Sequence, residues 1–140
     1  MVDHPFELLA SGYGPIEAVE KDSGAVWYLG ASTQNYTPLK KKKEEATQCM
    51  WLWDKEGLLW LCASLTVYRY LGEADGAYAD WGIGTKGSNY SAPLLYNADG
   101  TVNLYYQPTY KLYNDGGWAK WSLGTPEKTL IITPAPPPRP

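Results

Sequence analysis

One turn recurs along this chain at an interval of about 44 residues, and the recurrence constrains the fold more than any other feature. "WLWDKEGLLWL" (51–61) and "LLYNADGTVNL" (94–104) share a frame: apolar-x-apolar, Asp or Asn, two residues, Gly, then an apolar residue four later. "FELLASGYGPI" (6–16) keeps that frame, with Gly12 in the turn and Ile16 four residues on. After each turn a strand closes at Leu29, Leu71 or Leu112, and a large apolar residue follows at Leu39, Trp81 or Trp121. Starts at Phe6, Trp51 and Leu94 give spacings of 45 and 43 residues. Short alternating apolar runs broken by Asp, Asn and Gly are the pattern of strands and hairpins.

Hairpin geometry fixes the register. A type I turn with a glycine bulge leaves three loop residues and needs φ > 0 at the glycine. It pairs Tyr96 with Val102 and Leu94 with Leu104, and equally Trp53 with Leu59 and Trp51 with Leu61. Each set then lies on one face, as a buried face requires. In the first repeat the same turn would join Phe6, Leu8 and Ile16. Trp51 and Trp53 are therefore expected in the core, with Trp60 pointing the other way. The register puts Met50 opposite Cys62 and sends Cys49 to the other face, so two free thiols are expected.

Composition limits the chemistry. The chain has 140 residues, enough for one domain with a core, and a net charge of -3. That balance argues against nucleic acid as a partner. No apolar run reaches the length of a membrane span, so no membrane insertion is expected. The N-terminus lacks the regions of a signal peptide. A cytoplasmic protein, or one released without a classical signal, is expected. The single histidine is His4, and no nucleophile, metal or phosphate motif is present. No enzyme, cofactor or metal is expected.

Three units of about 44 residues with one hairpin each resemble the β-trefoil superfamily, whose fold closes six strands into a barrel and caps one end with three hairpins. The resemblance implies an all-β domain over residues 1–133, a β-trefoil with three pseudo-repeats of four strands (about 5–48, 49–91 and 92–133). A proline-rich tail follows at 134–140, expected to be extended. The ricin-B-type lectin branch usually carries Gln-x-Trp in each repeat, where this chain reads "TPL" (37–39), "ADW" (79–81) and "AKW" (119–121). The first repeat departs most. Gly14-Pro15 marks an edge or bulge, and "PLKKKKEEA" (38–46) reads as a solvated connection, with an anionic partner as the alternative.

Aromatic residues remain once core positions are assigned. Tyr36, Tyr78 and Trp118 each stand three residues before Leu39, Trp81 and Trp121. Asp75 and Asp115 precede Tyr78 and Trp118 by three residues; Asn35 adjoins Tyr36 and Asn114 adjoins Asp115. A ring stacks on the apolar C–H face of a sugar, and fixed carboxylates or amides bond its hydroxyls. These seven residues are the expected ligand-binding set of a non-enzymatic carbohydrate-binding protein. The trefoil resemblance implies up to one shallow site per repeat, strengthened by multivalency. A bland alternative makes Asp-Gly a plain turn signal and the rings a cover for the barrel wall.

Two other functions compete. A protease inhibitor would present a loop such as "GTKGSNYSAP" (84–93), with Lys86 as the specificity residue. An adhesion module would use the tyrosines of "LYYQPTYKLY" (104–113), with a protein partner or an oligomer. The patterns "NYT" (35–37) and "NYS" (89–91) read as chance glycosylation matches.

Overall fold

The computed structural model describes residues 7–30, 37–63, 70–73, 78–82, 93–105, 107–123 and 127–133. Its strands are β1 (Leu8–Gly14), β2 (Glu17–Glu20), β3 (Val26–Leu29), β4 (Leu39–Lys40), β5 (Cys49–Asp54), β6 (Leu59–Cys62), β7 (Tyr70–Glu73), β8 (Ala79–Gly82), β9 (Leu94–Tyr96), β10 (Val102–Leu104), β11 (Gln107–Asp115), β12 (Trp118–Leu123) and β13 (Leu130–Thr133). A short 3-10 turn covers Lys43–Glu45. The fold is all-β, and its ladders are antiparallel.

The two repeated hairpins form in the expected register. Met50, Trp51, Leu52 and Trp53 face Cys62, Leu61, Trp60 and Leu59. Tyr96 faces Val102 and Leu94 faces Leu104. Gly57 and Gly100 take φ of 86° and 90°, the left-handed geometry the bulged turn demands. The turn at 54–58 is also held from within. Asp54 Oδ1 accepts the N–H groups of Glu56 and Leu58, and Oδ2 accepts the Trp60 indole N–H at 2.8 Å.

The first repeat differs from expectation. No hairpin forms at Gly12; β1 runs through it and pairs with β5, Gly12 opposite Trp51 and Gly14 opposite Cys49. The missing side chain serves packing there, because a Cβ on Gly12 would overlap the Trp51 indole. At Gly14-Pro15, where an edge or bulge was expected, the chain leaves one sheet and enters the next as β2. β2 pairs with β13, Ala18 opposite Ile132 and Glu20 opposite Leu130. A pair of strands from opposite ends of the sequence thus stands beside the two covalent hairpins.

One sheet runs β1-β5-β6-β9-β10-β11-β12, with β7 and β8 beside β6; the other runs β13-β2-β3-β4. They meet where Thr101 bridges Ile131 and the Ile132 N–H donates to Gly100 at 2.9 Å. Leu29, Leu71 and Leu112 are fully buried, as are Leu59, Leu61, Leu94, Leu130 and Ile132 in the same cluster. Each such leucine contributes about 2 kcal/mol by leaving water. Trp81 and Trp121 are buried and repeat one contact: their indole N–H groups donate to Gly30 O (2.9 Å) and Gly72 O (3.0 Å), just past Leu29 and Leu71. Leu39, in the matching place, has no such donor.

Trp60 does point away from this core, but into a second buried cluster with Leu52, Cys62 and Tyr70. Cys49 lies in the first cluster and Cys62 in the second; both are free thiols. Among the described residues no helix is long and apolar enough to cross a membrane.

Candidate ligand-binding face

Three strand pairs, β3–β4, β7–β8 and β11–β12, converge on a small hub. Thr37, Ala79 and Ala119 are fully buried there. The Thr37 N–H donates to Ala79 O at 2.9 Å, and the Ala119 N–H donates to Thr37 O at 3.0 Å. Pro38 bridges Trp118 and Tyr78 bridges Lys120. Segments far apart in sequence thereby present their outer faces side by side.

Strand alternation decides which side chains reach that surface. Gly116 and Gly117 form a two-residue loop with φ of 61° and 96°, left-handed as a type I′ turn requires. The loop pairs Asp115 with Trp118 and Tyr113 with Lys120. Leu112, Asn114, Ala119 and Trp121 turn inward and are buried, whereas Tyr113, Asp115, Trp118 and Lys120 are half-buried on the outer face. The Lys120 ammonium lies 4.6 Å from the centroid of the Tyr78 ring and 3.5 Å from Asp115 Oδ2.

The face therefore offers aromatic area, a carboxylate and an ammonium within one patch. Lys120 and Asp115 keep 25% and 44% of their side-chain area exposed, so their attraction adds at most about 1 kcal/mol to stability. The pair's consequence is placement: it holds opposite charges beside rings. Such a set can stack on the C–H face of a sugar while charged groups bond its hydroxyls. It can also hold a cation against a ring face.

Of the residues expected to bind ligand, the structure brings Tyr78, Asp115 and Trp118 together. Asn114 is turned away from them. It is 5% exposed, its amide donates to Glu20 Oε2 at 3.1 Å, and its Oδ1 accepts the Gly117 N–H at 2.8 Å. Its polar atoms hold the hairpin loop and tie it to β2. Asp75, Asn35 and Tyr36 lie outside the described residues, as do Lys86, Tyr106 and the tail. Lys120 belongs to the face although sequence reasoning passed over it, and Tyr113, expected there only as part of an adhesion surface, joins it. The Gly-Gly pair at 116–117 was the available signal, since a two-residue loop dictates both partners.

A separate open cleft of about 220 Å³ is lined by Glu7, Asp54, Lys55 and Glu56. Its Asp54 carboxylate is committed to the β5–β6 turn. Among the described residues no cluster of His, Cys, Asp or Glu could hold a metal ion.

No family model matches the chain, and no curated protein matches it. Among solved structures, the complex of lysenin with phosphocholine is similar in fold, with a TM-score of 0.60 and 17% sequence identity. The similarity covers 95% of this chain and 48% of lysenin, so the chain spans about half that protein's length. At this identity the likeness bears on the fold alone.

Proposed function

We propose that the chain is a non-enzymatic, glycan-binding module of β-trefoil type, acting in the cytoplasm or after release without a classical signal. The trefoil reading is supported by three strand pairs meeting at the Thr37–Ala79–Ala119 hub and by the repeated Trp81 and Trp121 contacts. The observation that carries the binding site is the outer face of β12. There Trp118 stands opposite Asp115 across a two-residue loop, and the Lys120 ammonium lies over Tyr78. A sugar ring stacks on Trp118, and Asp115 and Lys120 hydrogen-bond its hydroxyls. No metal takes part in this reading. Single sites of this shallow kind are weak and gain strength when several bind one glycan.

A glycan-array screen of the purified protein beside the Trp118→Ala, Tyr78→Ala double variant tests it. Binding by the wild type that is lost in the folded variant is the expected result. Sugar binding unchanged in the double variant would remove this face as the site.

A second ligand class is favoured by one observation. Lysenin was solved in complex with phosphocholine, and here a cation already lies over a tyrosine ring beside a carboxylate. The trimethylammonium group would displace the Lys120 ammonium from the Tyr78 ring, and Lys120 would turn to the phosphate. A phosphocholine conjugate on the same array separates the two readings.

A further inference from the structure

Four of the chain's 12 basic residues stand in one run at positions 40–43, inside a chain of net charge -3. Among the described residues none of the four forms an ion pair. Lys40 is half-buried and stands opposite Tyr28. The Lys41 ammonium lies 5.5 Å from the centroid of the Trp27 ring, which is itself anchored by its indole N–H to Glu20 Oε2 at 2.6 Å. Lys42 and Lys43 are exposed, and Glu44 and Glu45 end the run. A solvated connection needs no such arrangement: one lysine rests on an anchored ring and another shares a face with a tyrosine.

The place of the run matters as much as its charge. Pro38 bridges Trp118, and the Leu39 N–H donates to Gly117 O at 2.9 Å, so β4 lies directly against the loop of the candidate face. Bridge partners share a face, and so do residues two apart on a strand. Lys40 therefore stands on the same side as Trp118, about 7 Å along the strand from Pro38. A ligand seated on Trp118 and extending past Pro38 meets ammonium groups that form no ion pair among the described residues. Neutral sugars have no use for them, whereas sulfate or carboxylate substituents do.

We propose that Lys40, Lys42 and Lys43 extend the Trp118 face and that the ligand is an acidic glycan, a polysaccharide carrying sulfate or carboxylate groups. The sugar stacks at Trp118, and its anionic substituents lie over Lys40 and the exposed Lys42 and Lys43 beyond the strand end; Lys41 rests on Trp27, which points to the other face from Tyr28, and takes no part. The proposal rests on the glycan-binding reading above and narrows it to a charged class.

Isothermal titration with a heparin-derived decasaccharide and its desulfated counterpart, at low and high salt, tests this on three proteins. These are the wild type, Trp118→Ala, and the Lys40→Gln, Lys42→Gln, Lys43→Gln triple variant, whose altered side chains all reach solvent. The wild type should prefer the sulfated chain and lose the preference in high salt. The triple variant should bind the sulfated chain about tenfold more weakly, the sum of three surface charge pairs. If neutral glycans bind through Trp118 and the triple variant still binds the sulfated chain like the wild type, this inference fails and the glycan reading stands. If the triple variant loses the sulfated chain while Trp118→Ala keeps it, the lysine surface stands alone and the Trp118 reading falls. Equal affinity for the two probes, no binding to either, or binding to anionic lipid vesicles in their place overturns the proposal.

Discussion

The side-chain amide of Asn114 donates to Glu20 Oε2 at 3.1 Å, joining residues 94 positions apart. The same carboxylate accepts the Trp27 indole N–H at 2.6 Å and the Ser23 hydroxyl at 3.2 Å. Burial alone would raise the pKa of Glu20. The hydrogen bonds from Trp27, Asn114 and Ser23, with the charge of Lys128, outweigh it and hold the group below its ordinary 4.5.

A depressed carboxylate stabilises the fold above its unfolded value, and that stabilisation is lost as pH falls through the folded value. Urea midpoints should therefore hold near neutrality and decline below about pH 4.5. Glu20→Gln should cost about 2 kcal/mol at neutral pH, as loss of charge-assisted bonds does, and should show a shallower acid decline. Asp99, also held low by Lys21 and Thr101, keeps part of that decline in the variant. Identical acid limbs for both proteins would remove Glu20 from this account.

Gly100 and Gly24 both take left-handed φ, 90° and 78°, but only Gly100 is crowded. A Cβ at Gly100 would come within 2.6 Å of Ile131 Cγ2, whereas at Gly24 nothing lies within 4 Å. Gly24→Ala should cost about 1 kcal/mol from backbone strain, and Gly100→Ala about 1–3 kcal/mol more from the clash. Chemical denaturation of the two variants checks this, and equal costs would mean that β13 yields freely.

Thr37 sits where the other two positions of the hub are alanines, and its buried hydroxyl has no hydrogen-bond partner among the described residues. Thr37→Val replaces that hydroxyl with a methyl group of like size and should stabilise the protein by about 1 kcal/mol. A thermal midpoint that falls in the valine variant would show that the hydroxyl is engaged in solution.

Cys49 is buried, and burial together with the neighbouring Cys62 pushes its thiol up to about 12. Only the thiolate reacts readily. An aromatic disulfide reagent at neutral pH should therefore label the native protein slowly and both cysteines at once after unfolding. Fast labelling of the native protein would contradict the burial.

The turns at 54–58 and 97–101 were legible because a polar residue, two spacers and a glycine specify one local geometry, and the register follows from it. Leu29, Leu71 and Leu112 were legible because their spacing repeats. Gly12 misled, since a glycine that makes a turn and a glycine that makes room for an indole look alike in sequence. Only the partner strand, with Trp51 opposite, tells them apart. Asn114 misled for a simpler reason. It lies between Tyr113 and Asp115 on one strand, so alternation turns it inward when they turn outward. Lys120 escaped notice because its place beside Tyr78 depends on two strands separated by the whole of β9 to β11.

The pairing of β2 with β13 also orders events during synthesis. A nascent chain can form the β5–β6 and β9–β10 hairpins as soon as each has left the ribosome. The Glu17–Glu20 segment must wait for Leu130–Thr133 before its ladder exists. Until then β2 lacks one neighbour, and Ile131 and Ile132 have not yet met Thr101 and Gly100. Contacts spanning most of the sequence slow folding, because the loop between them must close before they stabilise anything. The molecule is thus vulnerable to truncation and premature association at β13, and a stall shortly before residue 130 leaves its circuit open.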